Sequence, residues 1–304
     1  YRGGGYSDGG GGSQRLQLTG GYNNGDFNMV YGLQLNDQHP IYGFQRDISR
    51  STNSAPTAGS QVSPRNYLYA YYAGGNKYID PGNQCEGLSD LFGGTVGYQT
   101  RTPFGNYCGS KQAVGYGTLL NKNQSASGYV SGSFRLNDNA ELYGDLLYNV
   151  STNNFYTGPN YSFWSTNSNN PYFWNPETER LEFFQRSYAP EEMGGLLAGA
   201  ERTLSRSYNF NFGIRGSFGD SDWDYDGYYS RSEYKVTDKQ PRALAAKVDA
   251  FMEDMFLGPK LGEYYGYPIY APDPSKFYRP ITPAEWASFT DLVDSKSKTT
   301  TDKL

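Results

Sequence analysis

From Leu204 to Tyr234 the chain reads LSRSYNFNFGIRGSFGDSDWDYDGYYSRSEY. Over 204–218, Leu204, Tyr208, Phe210, Phe212, Ile214 and Phe218 share one parity, and Ser205, Asn209, Asn211 and Arg215 share the other. Successive side chains of a strand point to opposite sides, so this period predicts one apolar and one polar face. Gly219 to Asp222 has turn chemistry. Beyond it, over 223–234, Trp223, Tyr225 and Tyr229 alternate with Asp224, Asp226 and Ser230. The stretch predicts a long antiparallel hairpin.

The same alternation recurs in both directions from this hairpin. In 14–22, Leu16, Leu18, Gly20 and Tyr22 oppose Arg15, Gln17 and Thr19. In 27–36, Phe27, Met29, Tyr31, Leu33 and Leu35 oppose Asn28, Gln34 and Asn36. Over 126–136, Val130, Phe134 and Leu136 oppose Ser127, Ser131, Ser133 and Arg135; over 141–150, Leu142, Leu146, Tyr148 and Val150 oppose Glu141, Asp145 and Asn149. Six long strands are therefore expected, joined in pairs by short turns at 23–26, 137–139 and 219–222. Between the pairs lie long loops, about 48–125 and 154–203. Short turns alternating strictly with long loops suit an antiparallel barrel crossing a membrane, and Tyr22, Phe27, Phe218, Trp223 and Tyr225 sit beside the short turns, where an interfacial aromatic girdle belongs.

Composition narrows the alternatives. Tyr 30, Phe 17 and Trp 4 make 17% of the residues aromatic, and net charge is only −5, which excludes a chain too polar to fold. A mean hydropathy of −0.74 and no long apolar run exclude a membrane helix. The slight acidity leaves no electrostatic footprint for nucleic acid. One His, at 39, removes most imidazole-based catalysis and metal ligation, and no phosphate loop or nucleophile triad is present, so the chain reads as a non-enzyme without a cofactor. Glu141 and Asp145 on one strand face formally permit a glycosidase pair, but a polar wall accounts for them more simply. Neither end carries a signal-like segment or a terminal aromatic strand, and the chain reads as a fragment.

Several stretches resemble the β-barrel part of TonB-dependent outer-membrane receptors: GGGGSQRLQLTGGY and GDFNMVYGLQLNDQHPIYGFQRD within Gly9 to Asp47, SGSFRLNDNAELYGDLLYN, FGIRGSFGDSDWDYDGYYSRSEY, and MEDMFLGPKLG. The resemblance covers the six strands and the segment from Phe256 to Gly262, and rests on pattern and phrasing rather than on a catalytic signature. It implies a 22-strand barrel, a plug domain and a TonB box, the last two outside these stretches. The implied fold class is all-β, an antiparallel transmembrane β-barrel fragment of about six long strands with long extracellular loops and two short helices. The implied division is a partial barrel over 1–240 and a truncated extracellular segment over 241–304.

The loops carry the candidate sites. Cys85 and Cys108, in a Gly/Asn/Ser-rich setting without metal partners, read as a disulfide pinning the first loop. In the second loop, Tyr161, Trp164, Tyr172 and Trp174 stand among Asn, Ser and Thr and are candidates to stack on sugar faces or aromatic chelators, or to close the loop into a lid. The third segment predicts helices over 242–257, with Pro241 in the first turn, and 283–294, opened by a Thr282–Glu285 capping box and burying Trp286, Phe289, Leu292 and Val293. Asp222, Asp224, Asp226 and Glu233 match a calcium-loop pattern, but the strand alternation around them opposes an EF-hand, and no metal is expected.

The functional expectation is energy-coupled import of a scarce nutrient (iron chelate, vitamin or glycan) across the outer membrane of a Gram-negative bacterium. Its partners would be outer-membrane lipid, the TonB complex through an N-terminal part, and a small-molecule or oligosaccharide ligand. The alternatives are a passive porin-like channel and a surface or secreted β-domain that binds carbohydrate through its aromatic loops.

Overall fold

A computed structural model describes residues 1–159, 161–163, 171–219 and 221–304. The protein is mostly β, and its largest element is an eight-stranded antiparallel sheet whose strands follow one another in chain order. They are β1 (Arg2–Gly4), β2 (Ser13–Asn23), β3 (Phe27–Gln38), β4 (Lys122–Asn137), β5 (Ala140–Phe155), β6 (Glu201–Ser217), β7 (Asp224–Ala243) and β8 (Thr290–Lys303). The sheet is open: β1 lies at one edge and β8 at the other, and no pairing joins them. Six of the eight, β2 to β7, are the strands expected from alternation.

Register puts the apolar parities on one face. Leu18, Leu33, Gly128, Tyr148 and Tyr208 form one cross-strand row, and Tyr22, Met29, Gly132, Gly144, Phe212 and Tyr229 another. Relative to these rows the short turns are staggered: Asn24 follows Tyr22 closely, Asp138 lies several residues past Gly132, and Gly219 further still past Phe212. Glycines on the strands admit large neighbours. A Cβ on Gly20 would meet the Tyr31 ring, and one on Gly213 would meet Tyr143.

The three long connections do not form loops in the ordinary sense. Together they build a second, nine-stranded sheet with its own core. The first connection contributes Tyr67–Tyr72, Asn76–Tyr78, Gly97–Arg101 and Gly105–Gly109. Tyr161–Phe163, Phe173–Asn175 and Arg180–Ser187 come from the second, and Gly262–Tyr264 and Tyr267–Ile269 from the third. The central pairing of Tyr67–Tyr72 with Arg180–Ser187 joins segments more than a hundred residues apart. Every member of the main buried cluster, including Tyr67, Tyr69, Phe92, Phe184, Phe256, Phe277, Trp286 and Phe289, lies in these connections and none on the eight long strands. The fold thus buries its aromatics in the cap and leaves the apolar side of the long sheet uncovered.

The third connection departs from expectation at both ends. Pro241 is not in a helix but in β7, opposite Leu292. The pairing of β7 with β6 ends at Arg202–Lys239, so the chain at Pro241 has a neighbour on one side only, where a missing N–H is tolerated. The helix starts at Ala245, runs to Met252 and widens into a π turn over Glu253–Leu257. The second helix, Pro283–Phe289, has the expected Thr282–Glu285 capping box but ends early: Thr290 is extended, and Leu292 and Val293 are exposed residues of β8. The polar run after Asp294 lacks apolar alternation and is nonetheless a strand, because its Ser, Thr and Lys residues pair with the polar outer half of β7. A division at residue 240 therefore falls inside β7, and residues on both sides of it share the same sheet and the same core.

Candidate ligand-binding site

The hairpin Phe173–Asn175/Arg180–Ser187 crosses the second sheet, and its alternation separates two roles. Phe173 and Asn175 point into the core, while Tyr172 and Trp174 look outward and are half-buried. A buried carboxylate fixes the inner side. Glu182 accepts hydrogen bonds from Asn175 Nδ2 at 3.0 Å, from the Thr178 hydroxyl at 2.7 Å and from the Tyr69 hydroxyl. Burial, followed by the charge of Glu182, pushes the Tyr69 hydroxyl well above its ordinary range, so it stays a donor.

On the outer side, Trp174 stacks on Tyr264 with ring centroids 4.2 Å apart and 26° between planes, and Tyr265 stands edge-on to Tyr264 at 4.7 Å. The backbone dictates this display. Gly262–Tyr264 and Tyr267–Ile269 pair as a tight hairpin whose two turn residues, Tyr265 and Gly266, have φ of +48° and +83°. Positive φ at both central positions matches the twist of paired strands and favours glycine second. Tyr265 takes the first position and is 87% exposed. Parallel pairing of Trp174 with Ile269, plus the bond from Tyr270 N–H to the Trp174 carbonyl at 3.0 Å, brings this hairpin beside the tryptophan. Lys260 and Glu263, paired at 2.8 Å, give the cluster a charged rim. Trp174 and Tyr264 cover each other's facing sides, and the exposed Tyr264 and Tyr265 rings of this platform, beside the polar edge, are able to contact a flat, hydroxylated or aromatic molecule.

The sequence candidates are divided by the structure. Trp174 belongs to the platform. Tyr172 packs between Tyr72 and Phe183, at 6.2 and 5.3 Å, and donates to Asn76 at 3.1 Å, a packing position. Tyr161 pairs through its backbone with Ser187, and Trp164 lies outside the described residues. Tyr264 and Tyr265 escaped sequence reading; the signal was EYYGY, alternating tyrosines about a Tyr-Gly turn.

Other candidates resolve as follows. Cys85 and Cys108 form a disulfide, and both are buried in the cap core rather than tethering a surface loop. Asp224 and Asp226 lie on the polar face of β7, whereas Glu233 lies on the apolar face, roughly 23 Å from Asp226 at about 3.3 Å per residue. Tyr143 donates to Asp226 at 2.6 Å, and Lys235 and Lys298 hold Glu233, so the carboxylates do not converge. Among the described residues no group of three or more His, Cys, Asp or Glu is placed to hold a metal. Glu141 is bound by Arg215 at 2.8 Å and Asp145 by Asn211 at 2.8 Å, both in cross-strand pairs on the polar face. Comparison with family models, curated proteins and solved structures returned no match.

Proposed function

We propose that this chain contributes a section of barrel wall and its extracellular cap to a TonB-dependent outer-membrane receptor that imports a scarce nutrient. One observation carries the reading: the uncovered apolar face that strands β2 to β7 present. On β2 to β7, the positions of that face nearest the short turns, such as Leu18, Tyr31, Val130, Leu146, Phe212, Ile214 and Tyr225, are all apolar, aromatic or glycine. On β4, β5 and β6 the uncharged run of this face is about ten residues long, the length a tilted strand needs to cross the hydrocarbon core, and on β7 it is shorter, ending at Tyr229. Further along the strands charges enter this face, at Arg231 and Glu233 on β7, opposite Phe210 and Tyr208, and at Arg206 on β6. In water such a face has no partner, and open edges beside it invite further strands. Lipid on the face and barrel strands on the edges answer both demands.

The cap stands at the end of the sheet away from the short turns, where a receptor meets its ligand, and its Trp174–Tyr264–Tyr265 platform suits an iron chelate with aromatic arms or a glycan. Two arginine substitutions test the reading. Arginine at Phe212 places a charge in the band and costs roughly 2–4 kcal/mol if the site meets hydrocarbon, while arginine at neighbouring Asn211, on the polar face, is mild. Equal penalties, or a chain that is a soluble cooperative monomer without detergent, refute the reading and promote the soluble carbohydrate-binding domain. Conductance of the complete gene product in a planar bilayer separates a passive channel, which is open, from a plugged receptor, which is not.

A further inference from the structure

The cap carries a second cleft, remote from the aromatic platform. Strand order places the hairpin Gly262–Tyr264/Tyr267–Ile269 at one end of the nine-stranded sheet and Gly97–Arg101 at the other. At this far end the segment 59–65, Arg101 and Gln185 enclose about 530 Å³. Strand Gly97–Arg101 lies four strand spacings from the strand of Trp174, roughly 19 Å at about 4.8 Å each.

Two guanidinium groups line this cleft, those of Arg65 and Arg101, and no carboxylate does. Strand alternation accounts for the imbalance. In the hairpin Gly97–Arg101/Gly105–Gly109, Gln99, Arg101 and Tyr107 share one face, and Tyr98, Thr100 and Asn106 share the other. Asp80 is held on that other face, accepting from Tyr98 at 2.9 Å and Asn106 at 2.8 Å. Arg101 instead lies 5.3 Å from the Phe104 ring centroid, and Arg65 reaches the Tyr78 hydroxyl at 3.5 Å. Neither arginine has a carboxylate partner among the described residues. The two charges act on one spot: burial pushes the Tyr107 hydroxyl pKa up, and Arg101 and Arg65 both oppose the rise.

The walls are fixed from behind. Tyr107 donates to the Ser63 carbonyl at 2.6 Å, and Gln185 Nε2 donates to the Arg65 carbonyl at 2.5 Å. Asn66, next to Arg65, is fully buried and accepts from Ser110 N–H at 2.9 Å. Two cations are thus presented on a rigid frame to the same cavity, and the chain supplies nothing to neutralise them there.

We propose that this cleft binds the phosphate monoester group of a small molecule, held between Arg65 and Arg101. At neutral pH such a group carries close to two negative charges on three terminal oxygens, so it neutralises both guanidinium groups and accepts paired N–H bonds from each. A carboxylate brings a single charge. The hydroxyls of Ser60 and Ser63 add neutral donors, and the volume leaves room for an organic part of sugar size beside Val62 and Pro64. This site stands on the geometry of the cap alone, and it holds whether or not the long sheet meets lipid.

The test titrates the full chain in neutral maltoside micelles with glucose 6-phosphate, glucuronate and glucose at one ionic strength. Glucose 6-phosphate is expected to bind about tenfold or more tightly than either of the others. Arg65→Gln and Arg101→Gln are each expected to lose about tenfold for that probe, while Arg15→Gln, on the polar face of the long sheet, leaves binding unchanged. The unmodified chain gives a readout that needs no variant to fold. Saturating glucose 6-phosphate should slow phenylglyoxal modification of Arg65 and Arg101 severalfold, read by peptide mass, and leave Arg15 as reactive as before. Equal binding of glucuronate or glucose, unchanged affinity in variants with native circular dichroism, or no protection of the two arginines overturns the inference.

Discussion

Among the described residues the cap holds one fully buried ion pair, and its removal is the sharpest test of how the long connections fold. Arg186 and Glu192 are both fully buried and meet at 2.5 Å. Glu192 also accepts from Ala189 N–H at 3.0 Å, Ile281 N–H at 2.9 Å and the Tyr67 hydroxyl at 3.3 Å. Arg186 donates to the carbonyls of Phe277 at 2.9 Å and Arg279 at 2.8 Å, with its guanidinium 5.0 Å from the Tyr67 ring centroid. Burial pulls the guanidinium pKa down, but the charge of Glu192 outweighs it and the arginine stays protonated. The pair thus ties strand Arg180–Ser187 to the segment 277–281 of the third connection.

Glu192→Gln leaves a buried cation without its counter-ion, and Arg186→Met leaves a buried carboxylate held only by neutral donors; each is expected to cost about 3–5 kcal/mol. The double variant removes both charges; the glutamine amide oxygen at position 192 still accepts one of the N–H groups of Ala189 and Ile281, so the cost is chiefly the other, about 1–3 kcal/mol. A double-mutant cycle should therefore give a coupling of at least about 3 kcal/mol, the excess of the summed single costs over that of the double variant, read from urea unfolding of the full chain in micelles by tryptophan fluorescence. Trp174 and Trp286 both report from the cap. Additivity within about 0.5 kcal/mol refutes the claim that the two charges depend on each other.

Other outcomes follow from the same structure. Glu285, bonded to Arg279 at 2.7 Å and capping Thr282, has its carboxyl pulled down to about 2; a depressed acid stabilises above its unfolded pKa. Cap stability should accordingly fall as pH drops from about 4.5 to 2, by about 1–2 kcal/mol after allowance for partial exposure, and Glu285→Gln should flatten that slope in acid titrations of unfolding. Reducing Cys85–Cys108, whose sequence separation is 23, should cost about 3 kcal/mol of cap stability by the loop-entropy argument, measured as a lowered urea midpoint with and without reductant. Gly266→Val should disorder the Tyr265 turn, because a β-branched residue resists the +83° φ there; loss of the Trp174–Tyr264 stack is checked by near-ultraviolet dichroism, and unchanged ring signals would refute the turn assignment.

Period-2 alternation alone determined β2 to β7, their pairing through short turns and the sidedness of the long sheet, because a strand states its two faces locally in every second residue. The Thr282–Glu285 cap was legible for the same reason: its partners are three residues apart. β8 was not legible, since a strand of serine, threonine and lysine announces itself only when a polar neighbour such as the upper half of β7 stands beside it. The second sheet was equally hidden, as its central pairing joins Tyr69 to Phe184 and its core gathers Phe92, Phe184 and Phe256 from three connections. Two rings of the Trp174–Tyr264–Tyr265 cluster shared that fate: Trp174 stood out by composition, whereas Tyr264 became its partner only through the parallel pairing of Trp174 with Ile269. Sequence determines what lies within a few residues along the chain; the tertiary structure decided which distant faces meet, because the burial that drives those contacts depends on total area and carries no local pattern.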